Sequence, residues 1–567
     1  MRGADVIVEM LKAYQVDVVF GVPGDTTMPL YDAFYNARDE ITHLLARDER
    51  SASFMADAYA RLSNKPGLCE GPSGGGATYI VPGVAEANGS SIPVIVFTSD
   101  NPLRWEGTGA LTEIDQQALL APATKWNTTV KRPEFLPDII RRAFRIATSG
   151  RPGAVHISLP EDILESEVAG ANIYAEAVCT TYPSYRARPD AGTLTQIYAA
   201  LKAARKPAIV AGGGVVIAQA GEELARFAEL LQVPVGTTIN GKGSIPEYHP
   251  MSLGGIGGNG GRPYANAYLR EADAILFIGT KVNYLVTMND TIPSREHPVT
   301  VCHIDADPMN LGNNVRTDFA ALGDAREALR DLVALAEADS ARRFTREVDA
   351  EAIRARSVSF WDEMQGKVAD RSYPVKPQRI FAALDELLPD GAPIVADPGT
   401  MTPYTAANFR VHRTGRTTVI PRAHGGLGYA IPASIGAAFA RPGERIVCLT
   451  GDGSFGMSGT ELETVSRLKL PITFILFNNG AYGWIKMLQK LNYDNRFHNV
   501  DFQNVDYAGV ARALGVPAVT VEHSDQLQDA ISEGLRADGP CFINVETESE
   551  LEETPPVAAW QQALGLV

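Results

Sequence analysis

The sequence predicts an α/β protein of three doubly wound parallel-sheet domains. Three observations carry this: short β-rich apolar runs alternate with helical patterns, the cycle occurs three times along 567 residues, and glycine-rich turns stand where the apolar runs end. Continuous apolar runs are strands covered on both faces, and their alternation with helices makes the sheets parallel. Length alone allows about three or four domains.

In chain order, the first domain (1–172) opens with a helix from Gly3 to Tyr14 and the strand "VDVVFGVPG", and closes at "AVHISLPEDIL". The second (190–338) follows the loop "TTYPSYRARPDAG" and contains the strands "KPAIVAGGGV", "AILFIGT" and "TVCHIDAD". A charged linker (339–376), helical from Asp339 to Arg371, leads to the third domain (377–548), with "PIVADPG", "RIVCLTGDGS", "ITFILFNNG" and "CFINVETE". The acidic tail (549–567) is expected on the surface or closing over something.

Composition excludes several classes. A net charge of −16 and a pI near 5.1 argue against nucleic-acid or anionic-membrane partners. Five scattered cysteines without CxxC spacing point to a reduced, cytoplasmic setting and no structural zinc. Asp5, Glu9 and Lys12 interrupt the amino-terminal apolar run, so it reads as neither a signal peptide nor a membrane span.

Within "LLARDERSASFMADAYAR", helical steps from Glu49 reach Ala52, Ser53, Ala56, Tyr59 and Ala60, a small and apolar stripe. Glu49 is therefore expected on a buried face, where a carboxylate needs a partner or takes up a proton. Arg50 and Asp57 are expected on a more polar face, and Arg47 and Arg50 as solvated helix-start residues.

In the third domain the strand "RIVCLT" runs into Gly451, Asp452, Gly453 and Ser454, and the next strand ends at Asn478 and Asn479. Both ends open at the carboxyl edge of one parallel sheet, where such sheets bind ligands. A carboxylate and an amide oxygen are hard ligands, too few for a protein cage but suited to Mg2+ that also takes phosphate oxygens. The Gly453 and Ser454 amides open a helix and favour phosphate.

The run "GDGSFGMSGTELETVSRLKLPITFILFNNG" resembles the thiamine diphosphate motif, and "GVPGDTTMPLYDAF", "MADAYAR", "ATSGRPGAVHISLP" and "GGLGYAIPASIGAA" resemble acetolactate synthases and benzoylformate decarboxylases. The resemblance implies a pyrimidine-binding first domain, a transhydrogenase-like central domain and a diphosphate-binding third domain. It implies Asp452, Asn479 and the Ala481 carbonyl as Mg2+ ligands, and Gly399, Thr400, Gly453 and Ser454 as diphosphate contacts. Glu49 falls at the glutamate that bonds the cofactor's aminopyrimidine, although Asp48 replaces the histidine usual before it. Leu427 matches the apolar prop under the bent cofactor, with the Gly425 carbonyl beside it; His424, just before Gly425, is a candidate proton donor or a structural histidine. The resemblance also implies at least a homodimer, or a tetramer, with sites between subunits.

The reaction implied is acetolactate-synthase-like: decarboxylation of a 2-oxo acid followed by carboligation. Lys125 of "APATKW" matches a lysine at that family's site entrance. Against it stand Thr112 for the glutamine of "FQE", Lys281 to Leu285 for the flavin stretch "RFDDR", and Gly75 and Tyr79 in "SGGGATY", so flavin (FAD) is disfavoured. "IGTKVNYLV" resembles oxalyl-CoA decarboxylase, which opens the central domain to CoA or ADP and the substrate to acyl-CoA. "NNGAYGW" is closer to benzoylformate decarboxylase, a non-ligating alternative. Val22, Pro23, Asp25, Glu70, Tyr482 and Trp484 complete the expected substrate pocket. Glu70 is read as pocket lining or a solvated strand end. A non-catalytic relative would be expected to lose Glu49, Asp452 or Asn479, and all are present.

Overall fold

The computed structural model describes residues 1–339 and 350–566. Three six-stranded sheets follow one another along the chain, all paired in parallel. The first runs, edge to edge, Thr42–Leu45, Val18–Gly21, Gly67–Gly71, Val94–Asp100, Val155–Pro160 and Trp126–Thr129. The third repeats that topology with Thr418–Val419, Ile394–Ala396, Ile446–Gly451, Ile472–Asn478, Cys541–Glu546 and Ala518–Val521. The central sheet differs, placing Pro207–Ala211 beside Ala274–Ile278 in the dinucleotide-fold order. In each sheet the winding direction reverses between two neighbouring strands, and a crevice opens beyond their carboxyl ends. Those crevices fall after Gly21 and Gly71, after Ala211 and Ile278, and after Ala396 and Gly451.

The first and third domains share a core. Helix Glu49–Ser63 packs along helix Ala430–Ala440, both rich in alanine. Their backbones approach so closely that a Cβ on Gly436 would sit 2.0 Å from the Met55 carbonyl oxygen. This double covering corrects the expectation for Asp57 and Arg50. Asp57 is fully buried rather than on a polar outer face, bonded by Arg61 Nε at 2.8 Å and by the Tyr429 hydroxyl. Arg50 is half-buried and donates to the Met457 carbonyl of the third domain at 2.6 Å, while the Arg47 side chain is exposed as expected.

In the linker, helix Ala350–Ala369 forms, and 340–349, part of the predicted helical stretch, lie outside the described residues. All five cysteines are unpaired. Among the described residues no helix is long and apolar enough to cross a membrane.

Candidate active site

Glu49 opens its helix one residue after Asp48, whose carboxylate caps the Arg50 and Ser51 amides at 2.7 and 3.4 Å. The aspartate that departs from the family's histidine is thus an ordinary N-cap. Glu49 is 9% exposed, and burial raises its pKa, with Asp48 and Glu70 adding to the rise. Gly71 and Gly76 make room for it: a Cβ on Gly76 would lie 3.1 Å from Oε1, and one on Gly71 3.3 Å from Cγ. The loop after Val18–Gly21 joins this wall through Thr26, hydrogen-bonded to Ser73 and Ser99, and Ser73 in turn meets Thr112 at 2.7 Å. Val22 is half-buried there, and Pro23 and Asp25 are exposed.

In the third domain Gly451 pairs with Phe477, so Asp452 and Asn479 leave adjacent strand ends together. Asp452 Oδ1 accepts from Gly453 N–H and Oδ2 from Gly480 N–H, both at 2.7 Å. Asn479 Oδ1 accepts from Ala481 N–H at 3.1 Å. Burial pushes the Asp452 carboxyl up to about 6. Beside it lies a residue the motif did not flag: Glu550, 6% exposed, receives Asn479 Nδ2 at 2.8 Å on each oxygen. Burial pushes this carboxyl up to about 7, with the Asp452 charge adding to the rise and Thr400 opposing it.

Two buried carboxyl groups crowded this way are what a divalent cation relieves. Among the described residues no three His, Cys, Asp or Glu side chains could cage a metal alone, so a metal held here would need carbonyl and phosphate oxygens to complete its shell. Gly399, at φ +89°, Gly451 and Gly480 have open space where a Cβ would stand, and the donor set fits a Mg2+ diphosphate. Thr400 and Ser454 are buried on the same rim. Tyr482 lies over Gly453, where a Cβ would meet its ring at 2.6 Å.

The segment before Leu427 is held from the first domain. The Glu86 carboxylate accepts backbone N–H groups of Arg422, Ala423, His424 and Gly425 at 2.9, 3.1, 2.7 and 3.3 Å. Arg61 and Ser90 bond it from behind at 3.1 and 2.6 Å. Burial pushes Glu86 up, but Arg61 and these hydrogen bonds hold it below the usual carboxylate range. Such a run of amides around one anion is a nest. Gly425 adopts φ +70° with open space beside it, and Gly426 faces the Phe54 ring, one turn beyond Glu49. Asp397 fixes the other side, accepting from the Tyr429 and Ala430 amides and from the Thr450 hydroxyl. Leu427 is half-buried and His424 exposed.

Other expected pocket residues have partners of their own. Lys125 Nζ caps the Ile146 and Ser149 carbonyls at 2.5 and 3.0 Å, and burial lowers its pKa to about 8. Trp484 packs on Trp560 of the tail, ring centroids 4.4 Å apart. Glu70 is not solvated: 1% exposed, it bonds Tyr31 at 2.6 Å and His43 at 3.1 Å. In the central crevice a cavity of 390 Å³ is lined by Gly213, Gly214, Gly279, Lys281, Asp305 and Arg422, among others.

Fold and site define a cofactor-dependent α/β enzyme, and comparison with known proteins says which. The N-terminal TPP binding domain of thiamine pyrophosphate enzymes matches residues 1–119, their central domain 194–332, and their C-terminal TPP binding domain 397–545. A probable acetolactate synthase large subunit of Methanocaldococcus jannaschii is 34% identical, over 98% of this chain and 94% of that protein. The acetolactate synthase large subunit of Parasynechococcus marenigrum is 32% identical, over 100% and 91%. The acetolactate synthase isozyme 1 large subunit of Escherichia coli is 31% identical, over 99% and 97%. The chain belongs to the thiamine pyrophosphate enzymes, as a thiamine diphosphate-dependent enzyme of the carboligase and decarboxylase type.

Proposed function

We propose that this enzyme uses Mg2+ with thiamine diphosphate to decarboxylate a 2-oxo acid and join the remaining acyl unit to a second carbonyl compound. The observation that carries the reading is the pairing of Asp452 and Asn479 at adjacent strand ends of the third domain, together with a buried glutamate in the first domain, Glu49, whose carboxylate no other residue among those described hydrogen-bonds. When bound, the cofactor supplies the carbon nucleophile and electron sink for breaking and making C–C bonds beside a carbonyl. Asp452, Asn479 and the Ala481 carbonyl hold the cation. Thr400 and the Ser454 amide would hold diphosphate oxygens, while the Gly453 amide is given to Asp452 Oδ1. Glu49, its carboxyl raised by burial, would be the residue to share a proton with the cofactor's aminopyrimidine ring nitrogen. Leu427 would prop the cofactor, and the nest around Glu86 would set where the Gly425 carbonyl points. The acetolactate synthase names of full-length relatives support ligation over simple decarboxylation.

The central cavity supports a second cofactor reading. Glycine-rich turns after two central strands and an acid at the end of a third, Asp305, line this cavity, and such turns suit the phosphates of an adenine nucleotide, which CoA and ADP share. The flavin stretch remains replaced by Lys281 to Leu285.

The test is to load the full chain with thiamine diphosphate and MgCl2 and to supply 2-oxo acids, singly and in pairs, and acyl-CoAs. One CO2 per 2-hydroxy-3-oxo acid formed is the expected result. CO2 with free aldehyde alone would replace ligation by simple decarboxylation, and turnover of acyl-CoA alone would point to the CoA reading. The same loaded protein should sediment as at least a dimer and be found in the cytoplasm.

A further inference from the structure

The chain beyond the last strand, Cys541–Glu546, is laced back over the third domain. Thr547 N–H donates to the Asn478 carbonyl at 2.9 Å, and Glu548 N–H to Val375 at 3.0 Å. Tyr404 reaches the Glu553 carbonyl at 3.0 Å, Gln378 the Glu553 carboxylate at 2.7 Å, and Lys376 the Glu548 carboxylate at 2.8 Å. Glu550 hangs between these anchors and points inward. Position 483 reserves its space, since a Cβ there would lie 1.8 Å from Glu550 Oε2.

Glu550 settles an orientation that Asn479 cannot settle alone. The two ends of a side-chain amide have the same shape, so its flip is decided by hydrogen bonds. Ionised, Glu550 only accepts, so with 2.8 Å contacts to both of its oxygens the Asn479 nitrogen faces it. Oδ1 is thereby turned to the Asp452 side, where it meets the Ala481 amide. Outer partners that orient a metal ligand in this way commonly govern metal affinity as much as the ligand does.

We propose that Glu550, delivered by the carboxyl-terminal segment, is a positioning residue that holds Asn479 with its carbonyl oxygen presented to the divalent cation. The inference rests on the metal reading of Asp452 and Asn479 above. It assigns the tail a role in the site although no tail residue belongs to the strand–helix–strand motif.

The experiment is calorimetric titration of MgCl2 into full-length protein at saturating thiamine diphosphate, for wild type, Glu550→Gln, Asn479→Ala and the double variant. Glu550→Gln keeps the shape but leaves only the Ala481 N–H, at 3.1 Å, to orient the Asn479 amide, so its Mg2+ dissociation constant should rise about 10- to 100-fold. The melting temperature without metal should stay at the wild-type value, and turnover should recover at high Mg2+. In the Asn479→Ala background the Glu550→Gln effect should vanish, because nothing is left to orient. An unchanged Mg2+ affinity in Glu550→Gln, or an equal loss in both backgrounds, would overturn the proposal. Wild-type protein that binds thiamine diphosphate without regard to Mg2+ would instead remove the metal reading and the proposal with it. If Glu550→Gln does not fold, Glu550→Asp, which keeps the charge but withdraws it by one methylene, should show the same affinity loss.

Discussion

At Glu49 a single carboxyl group carries a conflict between stability and use. It is almost completely buried, no other residue among those described hydrogen-bonds its carboxylate, and two further acids lie close enough to raise its pKa. A group desolvated in this way destabilises the fold when ionised, so replacing it should not harm stability. Glu49→Gln is therefore expected to melt at or above the wild-type temperature and to retain cofactor and Mg2+. It should slow exchange of the cofactor's C2 proton by about 100-fold or more, the scale of a lost acid–base partner. Exchange followed by NMR at the wild-type rate would end the assignment. The neighbouring charges separate cleanly around it, Asp48 capping the helix and Arg50 tying it to the third domain.

Among the elements, the chemistry was legible where one element's own pattern carried it: Asp452 and Asn479 follow the carboxyl ends of two adjacent strands, and Glu49 opens a helix whose small, apolar stripe marks a covered face. What stayed hidden depends on contacts between elements far apart in sequence. Asp57 sat in a polar-looking stripe because a helical pattern shows one covering surface, and here there are two. Glu86 and the segment it grips are 336 to 339 residues apart. Glu550 lies in an acidic run indistinguishable from a solvated tail. Lys125 reads as a substrate group until helix Leu136–Thr148 is folded beside it and offers its last carbonyls. The Glu86 contact yields its own prediction. Glu86→Gln leaves Arg61 short of one buried counter-charge and loosens four amides, and breaking such a pair costs about 3–5 kcal/mol. Urea unfolding that shows less than about 1 kcal/mol of loss would mean the loop is held by other means.

For the whole molecule, repetition of one sheet topology in the first and third domains, around a central sheet of different order, places three crevices at three reversals of winding. The interior of the first sheet, which carries one of these crevices, holds a pH-sensitive group. His156, on strand Val155–Pro160, is fully buried and meets the Thr98 hydroxyl at 2.6 Å. That hydroxyl gives its proton to Gln116, whose amide donates to the Ser99 carbonyl at 2.9 Å. The Thr98 oxygen must then accept from Nε2–H, and Nδ1 is left buried without a partner. A second proton on the ring would be an unpaired buried charge, and burial lowers its pKa from 6.5 to about 3. The unfolded chain takes up this proton below pH 6.5 and the folded chain does not until about pH 3. Stability is thus complete above 6.5 and falls as pH drops through that window, by about 1.4 kcal/mol per unit and up to about 5 kcal/mol in all. His156→Gln keeps an N–H donor without the titrating nitrogen, so its unfolding free energy should fall less steeply between pH 6.5 and 4. With selectively labelled histidine, the His156 ring should stay neutral down to about pH 4, and a titration midpoint near 6.5 would refute the account.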